Sequence, residues 1–262
     1  MISAFDSAFE AVGFYIPDDD AYASLARQAA ELGSRRTIHL RGAKLHGCCF
    51  KIGQGLEVWA VVYEPEQGTS YYADCRPAFR PLRVYTLDTW KLTEYYEDGE
   101  AMLRGIIAGS ELVFELQNLT ELEDSSLRRS HLYVAIAGLG YSAKVYKKAL
   151  PAQLVPAVRV PENTRTENNY ALRGQVLAFK EIKNAMTGSD LVWVCVDVGN
   201  IELETIFNSR RIKGKLAIGK AISARVWLQG YVLNDKDIEA RYEGVDKAYQ
   251  VSDFWLALKR VN

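Results

Sequence analysis

Residues 191–207, LVWVCVDVGNIELETIF, carry the clearest structural pattern in the chain. Two runs rich in β-branched and aromatic residues, 191–198 and 201–207, lie on either side of Gly199-Asn200. Such residues favour strands, and glycine followed by asparagine favours a tight turn between antiparallel strands. The stretch therefore predicts a β-hairpin.

The same residue types recur from residue 37 onward, between clusters of turn residues. They predict further strands at 58–63, 71–74, 112–116, 222–228 and 254–258. A second hairpin is predicted from strands 131–138 and 141–146, because Gly138-Leu139-Gly140 interrupts the apolar run. The stretch 88–102 fits a helix and a strand equally well.

The first 36 residues have a helical period instead. Apolar residues return every three or four positions, first from Phe5 to Val12 and again from Tyr22 to Leu32. Asp18-Asp19-Asp20 suits the start of the second helix, because carboxylates cap backbone N–H groups and favour the positive end of the helix dipole. Gly33 predicts its end.

A break in the chain is predicted at residues 151–169, where three prolines precede a polar run. This divides the chain into a helical segment at 1–36, a β-rich domain of one or two modules at 37–150, the linker, and a barrel domain at 170–262. The predicted fold class is mainly β (α+β), with N-terminal helices followed by two or three small antiparallel β modules.

The last domain has a familiar order of elements. A long strand at 170–179, interrupted by Gly174, is followed by a polar loop, the hairpin at 191–207, and Ile218-Gly219-Lys220 leading into an alternating strand. This order resembles the OB-fold, a five-stranded Greek-key barrel, although SH3-like and other small barrels share the pattern. The resemblance implies binding of single-stranded nucleic acid through the second and third strands.

The predicted second and third strands depart from the usual binding surface of that fold. Trp193 could stack on a base, but Asp197, Glu202 and Glu204 would repel phosphate. A separate observation is that Leu-Arg-Gly occurs at 40–42, 103–105 and 172–174, which raises the possibility that a small β module is duplicated.

The net charge of -1 conceals a strong segregation of charge. Four windows, 32–56, 75–87, 125–161 and 205–234, contain no acidic residue but most of the 32 basic residues. If these windows converge in space, they form an anion-binding face. The alternative is that they are solvated strand edges and partners of the acidic segments.

The last window supplies the candidate anion-binding or nucleic-acid-binding residues. These are Arg210, Arg211, Lys213, Lys215, Lys220 and Arg225, with Trp227 as a stacking side chain.

Motifs of catalysis and cofactor binding are missing from the sequence. There is no phosphate-binding glycine loop, dinucleotide-binding glycine motif or nucleophile elbow. His39, His46, Cys48, Cys49 and Cys75 have metal-ligand chemistry, but adjacent cysteines on a strand point to opposite faces. We expect ordinary strand residues there, and we predict no metal, cofactor or catalytic residue.

The four cysteines suit buried, reduced thiols. The start of the chain lacks the pattern of a secretory signal, and no apolar run has the length of a membrane span. These features predict a cytoplasmic protein without a membrane partner.

The sequence therefore predicts a non-catalytic binding protein with a basic face for a polyanion, possibly nucleic acid. One alternative is a protein–protein adaptor or assembly protein that associates with itself or a partner through its charge blocks. Another is an enzyme of unrecognised type.

Overall fold

The computed structural model describes residues 4–157, apart from 96 and 98, and residues 168–234. The helices of these residues are α1 (Ala4–Ala11), α2 (Asp19–Leu32) and the short α3 (Asp124–Leu127). The strands are β1 (Ser34–Leu40), β2 (Ala43–Gly53), β3 (Leu56–Pro65), β4 (Tyr71–Phe79), β5 (Tyr85–Tyr95), β6 (Glu100–Ile107), β7 (Ser110–Leu116), β8 (His131–Tyr146), β9 (Gln153–Pro156), β10 (Asn169–Lys183), β11 (Asp190–Asp197), β12 (Glu202–Asn208), β13 (Ile212–Lys213) and β14 (Ala221–Leu233). The predicted mainly β class with N-terminal helices is confirmed, and the ambiguous stretch 88–102 contains the end of β5 and the start of β6. The predicted strand 254–258 lies outside the described residues.

Helix α2 begins and ends at the residues that the sequence indicates. The Asp18 carboxylate accepts a hydrogen bond from the Ala21 N–H at 2.8 Å and caps the first turn. Gly33 follows the last turn, where a Cβ atom would lie 2.5 Å from the Ala29 carbonyl oxygen and about 3 Å from the β2 backbone. Only glycine allows the helix end to pack this closely on β2.

Strands β1 to β4 form an antiparallel sheet, which we call the small sheet. Helix α2 packs on β2, β3 and β4. It buries Leu25 and Ala29 against Val58 and Cys75, which all belong to one apolar cluster. The Tyr22 hydroxyl also accepts a hydrogen bond from the Cys75 N–H at 2.8 Å.

The C-terminal strands form a closed ring of five, the second ring. Strands β10, β11 and β12 pair antiparallel in that order, and β12 pairs in parallel with β8. Strand β8 pairs antiparallel with β14, and β14 returns antiparallel to β10. The hairpin predicted at 191–207 is confirmed as β11 and β12.

A first ring has the same arrangement and uses two of the same strands. Strands β5, β6 and β7 pair antiparallel, β7 pairs in parallel with β14, and β8 closes the ring between β14 and β5. Strands β8 and β14 therefore belong to both rings. One apolar cluster extends through both rings, including Leu103, Phe114, Val134, Val176, Leu203 and Ile222.

The predicted linker does not separate two barrels. Strand β8 precedes it in sequence but completes the ring of strands that follow it, and β9, which lies within residues 151–169, pairs with β10. The predicted modules were antiparallel, whereas three pairings are parallel: β8 with β12, β8 with β13, and β7 with β14. Local patterns cannot reveal such pairings because the partner strands are far apart in sequence.

The predicted hairpin across Gly138-Leu139-Gly140 is wrong, since residues 131–146 form the single strand β8. Neither glycine has the positive φ expected in a tight turn. A Cβ atom on Gly140 would lie 1.9 Å from the ring of Phe207, and one on Gly138 would lie 3.0 Å from Val226. These glycines mark a close approach between packed strands.

The three Leu-Arg-Gly copies occupy different places in the fold. The first spans the β1–β2 turn, the second lies in β6, and the third lies in β10. Strand β6 is the second of the three consecutive strands β5, β6 and β7 in the first ring, whereas β10 is the first of β10, β11 and β12 in the second ring. The arrangement that repeats in the two rings is therefore not the one marked by the tripeptide.

Buried charges join the small sheet to the rings. The Glu57 carboxylate accepts hydrogen bonds from Trp59 Nε1 at 3.0 Å, the Tyr231 hydroxyl at 2.9 Å and Arg80 Nε at 2.8 Å. The Arg80 guanidinium also lies 4.1 Å from the centre of the Tyr231 ring. Because Glu57 is 2% exposed, this network stabilises the joint only while every member is present.

A second buried pair lies beside it. Arg76 donates to Asp74 Oδ2 at 3.0 Å and to the Gly99 carbonyl at 3.1 Å, and lies 3.5 Å from Glu115 Oε1. Desolvation by burial raises the pKa of Glu115 to about 8, although Arg76 opposes this rise. Asp74 lies on the same guanidinium and adds to this rise, so the protonated form of Glu115 is favoured at neutral pH.

We predict that Gly140→Ala destabilises the protein by about 2–3 kcal/mol, because the new methyl group overpacks against the buried Phe207 ring. Gly138→Ala, with a nearest contact of 3.0 Å, is the matched control with a smaller loss. The double change Gly140→Ala/Phe207→Leu restores part of the stability. Urea unfolding measures all three, and equal losses at both glycines would contradict the close-packing interpretation.

We predict that Glu115→Gln removes a pH dependence of stability. Between the ordinary pKa of 4.5 and the folded pKa of about 8, the folded protein holds a proton that the unfolded chain has released. The free energy of unfolding of the parent protein therefore falls as pH rises, by at most about 1.4 kcal/mol per unit from this group. Urea unfolding from pH 5 to pH 8 should give a smaller slope for Glu115→Gln.

The exposed Glu111, whose side chain is 49% accessible, provides the control. Glu111→Gln should retain the parent slope. An unchanged slope in Glu115→Gln would show that the carboxyl is ionised in the folded state.

Candidate anion-binding face

One cross-strand row on the outside of the second ring concentrates positive charge. The register aligns Gln153 of β9, Arg173 of β10, Ser223 of β14, Lys144 of β8 and Lys213 of β13. Neighbouring strands lie about 4.8 Å apart, so the three steps from Arg173 to Lys213 span about 14 Å. Three of the five side chains are basic, and none is acidic.

The alternation of the strands directs these side chains to solvent. The neighbours Leu172, Ile222 and Ala143 face the apolar core inside the ring. Successive side chains on a strand point to opposite faces, so Arg173 and Lys144 point outward, and both are exposed.

The adjacent row adds a fourth basic residue. Arg225 lies opposite Ala171 of β10 and Ser142 of β8 and is exposed. We call Lys144, Arg173, Lys213 and Arg225 the basic face. Among the described residues no carboxylate pairs with any of the four.

Tyr146 lies at one end of the basic face. It is opposite Ala221, and its hydroxyl accepts a hydrogen bond from the Ser223 Oγ at 3.3 Å. The Lys144 ammonium lies 5.2 Å from the centre of the Tyr146 ring, within the range of a cation–π contact. An aromatic ring and several cations therefore share one surface.

Acidic residues bound this surface on one side. Gln175 lies opposite Asp197 of β11, and Asp197 lies opposite Glu202 of β12. Glu202 forms an ion pair with Arg83. The positive region therefore ends where β10 meets β11. It is limited to five neighbouring strands, in the order β9, β10, β14, β8 and β13.

The structure brings together only part of the predicted site. Lys213 and Arg225 belong to the basic face. Lys215 and Lys220 lie in the loop beside it, where the Lys220 carbonyl accepts a hydrogen bond from the Val176 N–H at 2.9 Å.

Arg210 and Arg211 lie apart from the basic face. They line a cleft of about 390 Å³ together with Glu10, Tyr15 and Asp190. Arg211 forms an ion pair with Glu10, so its charge is balanced within the protein. Only Arg210 of this pair keeps an exposed side chain, and acids share its cleft.

The prediction of Trp227 as a stacking residue is corrected by its burial. Its side chain is 9% exposed and belongs to the apolar cluster that includes Phe9, Val12 and Leu139. Helix α1 packs on β8, and its residue Phe9 belongs to the same apolar cluster as Trp227, so the ring is not open to a base.

Two members of the basic face, Lys144 and Arg173, were not among the predicted site residues. A sequence signal existed for each, because Ala171, Arg173 and Gln175 alternate with core residues, as do Ser142, Lys144 and Tyr146. The sequence does not show that these side chains of β10 and β8 lie on the same outer face of one ring. That arrangement depends on the pairing of both strands with β14.

The outer face of β11 and β12 is sealed. Trp193 is 7% exposed and donates Nε1 to Glu204 Oε2 at 2.9 Å. The other Glu204 oxygen accepts the Leu82 and Arg83 backbone N–H groups, both at 2.8 Å. This is the surface through which the OB-fold resemblance implied binding, and here it is internal.

The cysteines and histidines do not form a reactive centre. All four cysteines are buried. Burial raises the pKa of the Cys195 thiol to about 12 and raises the pKa of Cys49 and Cys75 as well, so these thiols stay protonated at neutral pH. In the described part of the chain, no three His, Cys, Asp or Glu side chains are grouped to hold a metal ion.

The helices offer no membrane anchor in the part of the chain described: none combines the length and the hydropathy needed to cross a bilayer.

Comparison with known proteins gives one match. Residues 153–230 match the family described as "Domain of unknown function, E. rectale Gene description (DUF3881)". No curated protein and no solved structure matches the chain. The matched stretch contains β9 to β13 and most of β14 but not β8, so it covers four of the five strands of the second ring in whole or in large part.

Proposed function

We propose that this protein is a non-catalytic binding protein whose basic face takes a polyanion, with nucleic acid as the ligand. The observation that carries the proposal is the acid-free surface formed by the neighbouring strands β9, β10, β14, β8 and β13. On this surface the four residues of the basic face lie within about 14 Å of one another. Exposed cations without carboxylate partners attract phosphates and release counterions when they bind them.

The basic window 75–87 supports this choice of surface by contrast. Arg76, Arg80 and Arg83 of the window 75–87 have acidic partners within the fold: Asp74, Glu57 and Glu202. Their charges are already balanced. On the basic face, Lys144 from the window 125–161 meets Lys213 and Arg225 from the window 205–234 without such partners.

We also propose that the second ring is an OB-like barrel. Five strands close the ring, and three of them, β10, β11 and β12, are consecutive in sequence. Strand β8 completes the ring by pairing in parallel with β12 and antiparallel with β14. In this arrangement the completing strand, β8, comes from the N-terminal side. The proposed ligand surface is opposite to the sealed face of β11 and β12.

The mode of binding that suits this surface is contact with the backbone of the ligand. The basic groups stand on a twisted sheet rather than on a helix that could enter a groove, and phosphate contacts carry no sequence information. We further propose a cytoplasmic location, because buried thiols that remain reduced are typical of that compartment.

We predict that Lys144→Glu/Arg173→Glu weakens binding of a fluorescein-labelled 20-residue oligothymidine at least 10-fold. Fluorescence anisotropy at several salt concentrations measures the effect. Loss of two phosphate contacts should also make the dependence of log K on log salt shallower by about 1.4.

Arg35→Glu/Lys51→Glu is the matched control, because it changes the net charge equally at two exposed residues of the small sheet. This variant should bind within about 3-fold of the parent protein. Equal losses in the two variants would mean that overall charge, and not the basic face, governs binding. Thermal unfolding checks that both variants are folded.

A further inference from the structure

The basic face contains an aromatic ring held against the sheet. Tyr146 extends from β8 toward β14, where its hydroxyl accepts the hydrogen bond from Ser223. Ala221, directly opposite Tyr146, points outward yet is only 5% exposed. The hydrogen bond from Ser223 therefore holds the phenol group toward β14, across the sheet.

A lysine ammonium lies over one face of that ring. The Lys144 ammonium lies 5.2 Å from the ring centre, and cation–π contacts at exposed sites are weak. A phosphate near Lys144, Arg173 and Lys213 would attract the ammonium more strongly than the ring does. Movement of the long lysine side chain toward the phosphate would leave the ring face open to a planar partner.

We propose that Tyr146 stacks on one base of a single-stranded nucleic acid while Lys144 contacts an adjacent phosphate. This inference rests on the proposed function and specifies the class of polyanion. A base in a single strand offers a free ring face. Bases in a duplex are stacked on one another, and the sugars of a sulfated polysaccharide have no aromatic ring.

The experiment compares three substitutions by fluorescence anisotropy and competition. Tyr146→Leu keeps an apolar side chain opposite Ala221 but lacks the ring. Tyr146→Phe keeps the ring but lacks the hydroxyl. Tyr133→Leu is the control, because it removes a tyrosine that is 50% exposed elsewhere on the protein. The probes are the labelled 20-residue oligothymidine, a 20-base-pair duplex and heparin as competitor.

We expect Tyr146→Leu to weaken oligothymidine binding by about 5- to 100-fold, the range for loss of one stacked base, with an unchanged salt slope. Tyr146→Phe and Tyr133→Leu should remain within about 3-fold of the parent. Heparin affinity should be the same in all four proteins, and the duplex should bind more weakly than the single strand.

Oligothymidine binding by Tyr146→Leu at the parent level would overturn the stacking proposal. So would an equal loss of heparin and oligothymidine binding, because that result assigns Tyr146 a purely structural role. Either outcome leaves the proposed function standing if Lys144→Glu/Arg173→Glu still binds oligothymidine at least 10-fold more weakly than the parent protein. Failure of the parent protein to bind any of the three probes would overturn both proposals.

Discussion

The pairing of β8 with β14 is the contact on which both rings depend. It runs from Tyr133 opposite Leu233 to Tyr146 opposite Ala221, with one bulge. Strand β8 also pairs with β5 and β12, and β14 also pairs with β7 and β10. Because each ring needs both strands, neither ring can close its backbone hydrogen bonds without residues from both halves of the chain.

The same pairing creates the basic face. It places Lys144 opposite Ser223 and so brings two acid-free windows to one surface, to which β10 adds Arg173. Parts of the outer surface of the rings are covered. The small sheet packs over Ala135 and Tyr231, and α1 packs against β8 and β12. The region around Lys144 and Arg225 remains open to solvent.

Burial explains why a basic window in the sequence need not give a basic surface. Arg76 and Arg80 both lie in the acid-free window 75–87, yet each meets a carboxylate from another strand. A buried guanidinium needs such partners because desolvation of an unpaired charge is costly. These arginines stabilise the contact between the small sheet and the rings. Their positive charges are balanced by carboxylates of the protein and do not attract a ligand.

Local pattern was sufficient for several elements. The capped helix α2 and the hairpin of β11 and β12 could be predicted because caps, turns and alternation act over a few residues. The abundance of β-branched and aromatic runs likewise predicted the mainly β class. The acid-free windows correctly drew attention to Lys213 and Arg225 as exposed cations.

Only the tertiary structure decided where these elements and charges meet. Gly138 and Gly140 looked like a turn, but the packing of Val226 and Phe207 against them makes them part of one long strand. Trp227 looked available, but it is buried in the apolar cluster that includes Phe9 of α1. The sequence by itself determined the mainly β class, the hairpin of β11 and β12, the second helix and the segregation of charge. Strand pairing over long separations decided the shared rings, the buried ion pairs and the membership of the basic face, because such pairing leaves no local signal.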